Sequence, residues 1–294
     1  MISPSGTQLV SPLGLSDRGG LVLPEAGEYL LLIEGAAYDA PTTNGYRFKL
    51  VTPDGAPALG ATREEFGAGA SIPHVKFAHA GPLPVEEDGG AGNTILRLLD
   101  PLSANQTTSI AFGQTATGRY ETVDVGLDFT LTAPATGSIG NGFALGLLPT
   151  ASYGSYGAVP ALGLEPNLSN VLAAAVDLVQ GAGDGAVPHL SLHFGSTLVQ
   201  VPLADLGLDP VGAGRLRLLA TRVAGGAEVS VSLNMGGGAV TVIDRLFVAG
   251  LELADRRLAI YAENGGSTTA GLTLDNVTIA TPATTTALTA APGD

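Results

Sequence analysis

Between Thr122 and Leu131 the chain alternates without a break. Val123, Val125, Leu127, Phe129 and Leu131 interleave with Thr122, Asp124, Gly126, Asp128 and Thr130. A period of two puts one set on each face of an extended strand. The apolar face needs a second layer to cover it, while the polar face can meet water. Further strand signals follow at short spacing, at 94–99, 109–112, 142–148, 172–177, 190–194, 215–223, 227–233, 240–247, 258–262 and 269–280. With the 122–131 run they make eleven candidates, which predict a large all-β sandwich over residues 66–282. The 42 glycines and 19 prolines suit many turns and few long helices. Gly225-Gly226 predicts a hairpin turn, and 203–208 is the main helical candidate.

Residues 1–65 form a smaller β-rich segment, with strand signals at 27–34 and 46–50; Tyr46, Phe48 and Leu50 alternate with Arg47 and Lys49. The wording LPEAGEYLLLIEG followed by GYRFKL resembles the last strands of bacterial pre-peptidase-like β-domains. The tail at 283–294 reads as a linker or disordered end.

Charge and composition exclude several function classes. A formal net charge of −14 with only 13 basic residues leaves no cationic patch for nucleic acid or an anionic membrane surface. The absence of cysteine rules out a disulfide framework and thiolate metal sites. No apolar run approaches the roughly 18–20 residues of a membrane span, and the first residues do not read as a signal peptide.

The chemistry-bearing residues gather at 141–194. Asp177 closes one apolar run, Asp184 sits in a Gly-Asp-Gly loop and His189 opens the next run. Acidic side chains on a glycine-rich turn supply the oxygens that hard cations want. His193 is not a partner for His189 in one ion shell, since four strand residues separate them by about 13 Å. The acidic run Glu86-Glu87-Asp88 reads as a solvated loop, and Asp275-Asn276 as a loop tie on the closing strand.

In order, the pieces GFALGLLP, AAAVDL with DGAVPHLSLHF, and RLAIYAENGG with LTLDNVTIA resemble the L-type (legume-type) lectins, in particular bacterial lectin-like modules of large surface proteins. The resemblance implies a concanavalin A-like jelly-roll sandwich and a metal centre at Asp177, Asp184 and His189. The family's further glutamate, two positions before the first acid, is replaced by Ala175, which points to Ca²⁺ alone. The resemblance also implies a sugar site. Asn141 stands where the family has an acid, beside Gly142. Tyr153 and Tyr156 offer apolar platforms, Gly157 lets a sugar approach the backbone, and Asn264 lies in the last binding loop.

The expected function is therefore a non-catalytic carbohydrate-binding module, with a glycan or polysaccharide and neighbouring domains of a longer extracellular or cell-surface protein as partners. The alternatives are a structural or adhesion module with a decayed sugar site, and an accessory domain of a secreted hydrolase. Sandwich glucan hydrolases carry their carboxylates as Glu-x-Asp-x-(x)-Glu on one strand, and no such string occurs, nor does a Gly-x-Ser-x-Gly elbow.

Overall fold

The computed structural model describes residues 72–114, 118, 120–134, 138–179 and 188–281, together with 59–64 and Phe66. The strand signals at 27–34 and 46–50, the pre-peptidase-like wording and the 283–294 tail lie outside these residues.

The described strands are β1 (Leu59–Glu64), β2 (His74–Ala80), β3 (Val85–Gly90), β4 (Asn93–Leu99), β5 (Thr107–Phe112), β6 (Thr122–Thr132), β7 (Ser138–Ile139), β8 (Gly142–Pro149), β9 (Leu172–Asp177), β10 (His189–Phe194), β11 (Thr197–Pro202), β12 (Gly212–Val223), β13 (Gly226–Asn234), β14 (Ala239–Ala249), β15 (Arg256–Glu263), β16 (Thr268–Thr269) and β17 (Gly271–Thr281). One antiparallel sheet runs β14-β13-β12-β6-β17-β4-β3, with β1 paired to the far half of β17. The other runs β11-β10-β9-β8-β15-β5-β2. β7 and β16 form a short parallel pair.

The core lies between the two large sheets. All five apolar residues of the β6 alternation are buried, as are Leu216 and Leu218 of β12 and Leu272 and Leu274 of β17. They meet Phe143, Leu145 and Leu147 of β8, Leu172 and Val176 of β9, and Leu258 and Ile260 of β15 in one cluster. Phe129 and Phe143 are in ring contact at 4.9 Å. The polar partners on β6 are used as the alternation predicts. Arg215 pairs with Asp128 at 2.6 Å and Arg217 with Asp124 at 2.8 Å across the β6–β12 ladder.

The seven-stranded sheet is different, because its central strands are covered on both faces. Val159, Leu162, Leu164 and Val171, from the β8–β9 connection, pack on Ala111, Leu148, Ala173, Ala259 and Tyr261. Burial on both faces explains why β8 and β9 read as continuous apolar runs. Arg256 holds the connection down: its buried guanidinium donates to the carbonyls of Leu147, Asn170 and Glu252 and to the Asn170 side chain.

All eleven predicted strands are present, as β4–β6, β8–β10, β12–β15 and β17. The sequence reading misses β1, the two-residue β7, and three strands that end the two large sheets, β2, β3 and β11. The last three are edge strands with few or no fully buried side chains, so nothing forces a period-two pattern. The expectation of a solvated loop at Glu86-Glu87-Asp88 is corrected accordingly. The run lies on β3, where Glu86 pairs with Lys76 and Glu87 with Arg97, both at 2.8 Å. Charged side chains on a sheet edge discourage pairing with other chains. The 225–226 turn also shifts by one residue. The loop is Ala224-Gly225, with Gly225 at φ +80°. Gly226 is already in β13, where a Cβ would stand 2.1 Å from the Val248 carbonyl oxygen. The helical reading at 203–208 shrinks to a 3₁₀ turn over Leu203–Leu206.

Asp275-Asn276 is a tie, as read from the sequence. Asn93 donates to Asp275 at 2.8 Å and Asn276 donates to Asp128 at 2.7 Å, which fastens β17 to β4 and β6 at a bulge. The core and the surface pairs should differ sharply in weight. Phe129→Ala should cost about 3–5 kcal/mol of unfolding free energy and Arg217→Ala less than about 1 kcal/mol; urea denaturation of the two variants checks both.

Candidate metal and ligand site

One transverse row of the seven-stranded sheet carries most of the chemistry. Thr107, Glu263, Gly142, Asp177, His189 and Pro202 are successive register partners from β5 to β11. Residues directly opposite in an antiparallel pair point to the same face. Glu263 and Asp177 therefore face the same way, two strand spacings or roughly 10 Å apart in backbone. Gly142 between them is obligatory: its φ is +137°, and a Cβ would lie 2.1 Å from the Val176 carbonyl oxygen.

At one end of the row, Asp177 and His189 meet Glu165, which arrives from the β8–β9 connection. Ligand atoms of the three lie within 4.8 Å of one another, and His189 Nε2 is 3.9 Å from Glu165 Oε1. His189 is fully buried, yet among the described residues neither ring nitrogen has a hydrogen-bond partner. An unpaired buried imidazole costs free energy unless something else takes its lone pair. Two ligands of one ion at about 2.1 Å stand roughly 3–4 Å apart, so a small contraction closes the triad on a cation. Glu165 is steadied by Thr197 at 2.9 Å and Gln200 at 3.3 Å.

His193 is not in this group of three, although its Nδ1 lies 3.7 Å from Glu165 Oε2. It is fully buried, with Asn167 Oδ1 2.9 Å from its Nδ1 and Ser191 Oγ 2.7 Å from its Nε2. Burial pushes its pKa down to about 4, against the pull of Glu165 and with the help of His189, so the ring is neutral at pH 7.

At the other end lies a second polar cluster. Asn141 donates to Glu263 Oε1 at 2.7 Å and accepts from the Thr268 hydroxyl at 2.8 Å. The Tyr261 hydroxyl donates to Glu263 Oε2. Burial, then the Glu263 bond and charge, hold the Tyr261 phenol well above its ordinary pKa. The His79 ring lies 6.3 Å from that of Tyr261 and 6.4 Å from that of Phe77, with Nε2 2.9 Å from Ser109 Oγ.

The structure thus brings Asp177 and His189 together, and puts Asn141 and Gly142 beside them in the same sheet. Asp184 lies outside the described residues. Tyr153 is half-buried, and its hydroxyl donates to the Ser169 carbonyl at 3.3 Å, so it pins the connection that covers the sheet. Tyr156 is exposed beside Gly113, and Gly157 turns the chain at φ +86° while its carbonyl accepts from Arg257. Asn264 corrects the sugar-contact expectation. It is 3% exposed, its Nδ2 donates to the Asp100, Ser103 and Ala270 carbonyls, and its Oδ1 accepts from Ala270 N. An amide used in this way braces two loops: its Nδ2 hydrogens are engaged, and the lone pair left on Oδ1 is buried. Glu165 and Glu263 were both missed. Glu165 sits outside any periodic run, and Glu263 ends a strand whose outer-face partners become neighbours only through register.

No family model and no curated protein matches this chain. Solved structures do. Peanut lectin, solved with a nonamer peptide, aligns over 77% of this chain and 99% of its own at TM-score 0.56 and 12% identity. The lectin from Bauhinia forficata in complex with GalNAc aligns over the same shares at 0.56 and 14%. The Ca²⁺-bound exoplasmic/lumenal domain of VIP36 aligns over 76% and 90% at 0.54 and 12%. The fold is the concanavalin A-like jelly roll of the L-type lectins.

Because Asn264 acts as a brace, Asn264→Ala should lower stability by about 1–3 kcal/mol through the buried groups it leaves unpaired. Thermal and urea unfolding measure this directly.

Proposed function

We propose that this chain is a non-catalytic carbohydrate-binding module whose binding loops are braced by a divalent cation. The observation that carries the reading is His189: a fully buried imidazole, unpaired at both nitrogens, set against two carboxylates at the sheet end in a lectin fold. Glu165, Asp177 and His189 would hold the ion. The mixed nitrogen and oxygen donors match Mn²⁺ or Zn²⁺. Ca²⁺ takes six to eight oxygens, and would draw on Asp177 and Asp184 from the same strand connection. A bound cation supplies fixed positive charge that locks the connection against the sheet edge.

The sugar itself would be gripped through its hydroxyls by polar groups of the row and stacked on aromatic rings. Several of the similar structures are sugar complexes, with methyl-α-D-galactose and GalNAc among them. The proposed setting is an extracellular, cell-surface or lumenal one, as part of a longer chain; among the described residues no helix is long and apolar enough to cross a membrane. One observation favours the alternative of a purely structural module. Asn141, at the family's sugar-binding position, is already engaged by Glu263 and Thr268.

A glycan array and thermal melts, each run with added Ca²⁺, Mn²⁺ or EDTA, separate the readings. An ion at about 100 times its Kd contributes about 2.7 kcal/mol, so EDTA should lower the Tm by roughly 5–10 °C and abolish glycan binding. A melt that responds to the ion while no glycan binds identifies a braced structural module. A melt indifferent to both additions removes the metal centre.

A further inference from the structure

The family position for a sugar-binding carboxylate is Asn141, whose charge is missing, but the charge is present one strand away. Glu263 is the register partner of Gly142 and accepts the Asn141 amide at 2.7 Å. We propose that Glu263 replaces the missing acid as the acceptor for sugar hydroxyls, and that the sugar lies over β15, β5 and β2 with its apolar face against Phe77 and His79. This rests on the carbohydrate-binding reading and relocates its site.

Three features carry the assignment. First, a carboxylate offers about four lone-pair directions. Asn141 and Tyr261 take one on each oxygen, which aims the group and leaves the rest for a ligand. Glu263 is only partly buried, so those directions are reachable. Second, the covering connection packs on Leu148, Ala173, Ala259 and Ala111, and Tyr261 lies in that same cluster. Toward β2 the cover thins: Phe77 packs half-buried against that cluster, His79 is exposed, and their rings stack at 6.4 Å. An aromatic surface beside an aimed carboxylate presents the apolar and polar halves that a pyranose requires. Third, Asn141 has its carbonyl bonded to Thr268 and its amide to Glu263, so it acts as a positioning residue.

Glycan-array screening of the full chain, with the cation present, supplies the probe; titration calorimetry with the strongest neutral hit then compares variants. Glu263→Gln should weaken binding about 10- to 100-fold, the loss of one or two charge-assisted hydrogen bonds. Phe77→Ala should weaken it by several-fold through lost stacking. Asn141→Asp should bring a second carboxylate against Glu263 and also reduce affinity. Arg217→Ala, which lies on the eight-stranded sheet away from this cluster, should bind like the wild type, and the Tm of each variant shows whether it folds. If the wild type binds a glycan and folded Glu263→Gln and Phe77→Ala variants bind it within twofold, the relocated site is wrong while the carbohydrate reading stands. If the wild type binds nothing on the array, both fall together.

Discussion

The central strands of the seven-stranded sheet are buried on both faces, and much of the rest follows from that constraint. Its inner face packs on the eight-stranded sheet, while its outer face lies under the chain between β8 and β9. Close cover favours small outward residues, and Ala144 of β8 and Ala173 and Ala175 of β9 are all fully buried. It also isolates polar groups from water, so each needs a partner of its own. Arg256 finds carbonyls along the covering segment, and its pKa falls only to about 10, so it stays charged at neutral pH. His193 finds Ser191 and Asn167. His189 finds no hydrogen bond among the described residues, which makes it informative.

The same cover explains how the cluster of Glu165, Asp177 and His189 is assembled. Ala175 lies opposite Ser191 of β10 and Ala144 of β8 and offers no ligand atom. Glu165 comes from the covering segment, so the cluster joins that segment to the sheet. A cation held there would bear on the order of the segment as well as on the sheet. At the opposite end of the row the amide of Asn141 is held by the carboxylate of Glu263.

Legibility in the sequence followed burial. Strands with one or both faces in the core declared themselves, through alternation in β6 or apolar runs in β8 and β9. Edge strands β2, β3 and β11 did not, because water accepts almost any side chain there. Asp177 and His189 were readable because each sits at the boundary of an apolar run. Asn264 was misread, since a polar residue in an Asn-Gly-Gly turn looks the same in sequence whether it faces solvent or braces two loops.

The amino-acid sequence by itself determined the all-β class, most of the strands and the strand-end positions of Asp177 and His189, because local periodicity and turn chemistry act over a few residues. Only the tertiary structure decided which distant carboxylates complete the two clusters. Glu165 and Glu263 reach their partners through loop crossing and strand register, and those contacts join residues 12 to 122 positions apart that no local pattern encodes.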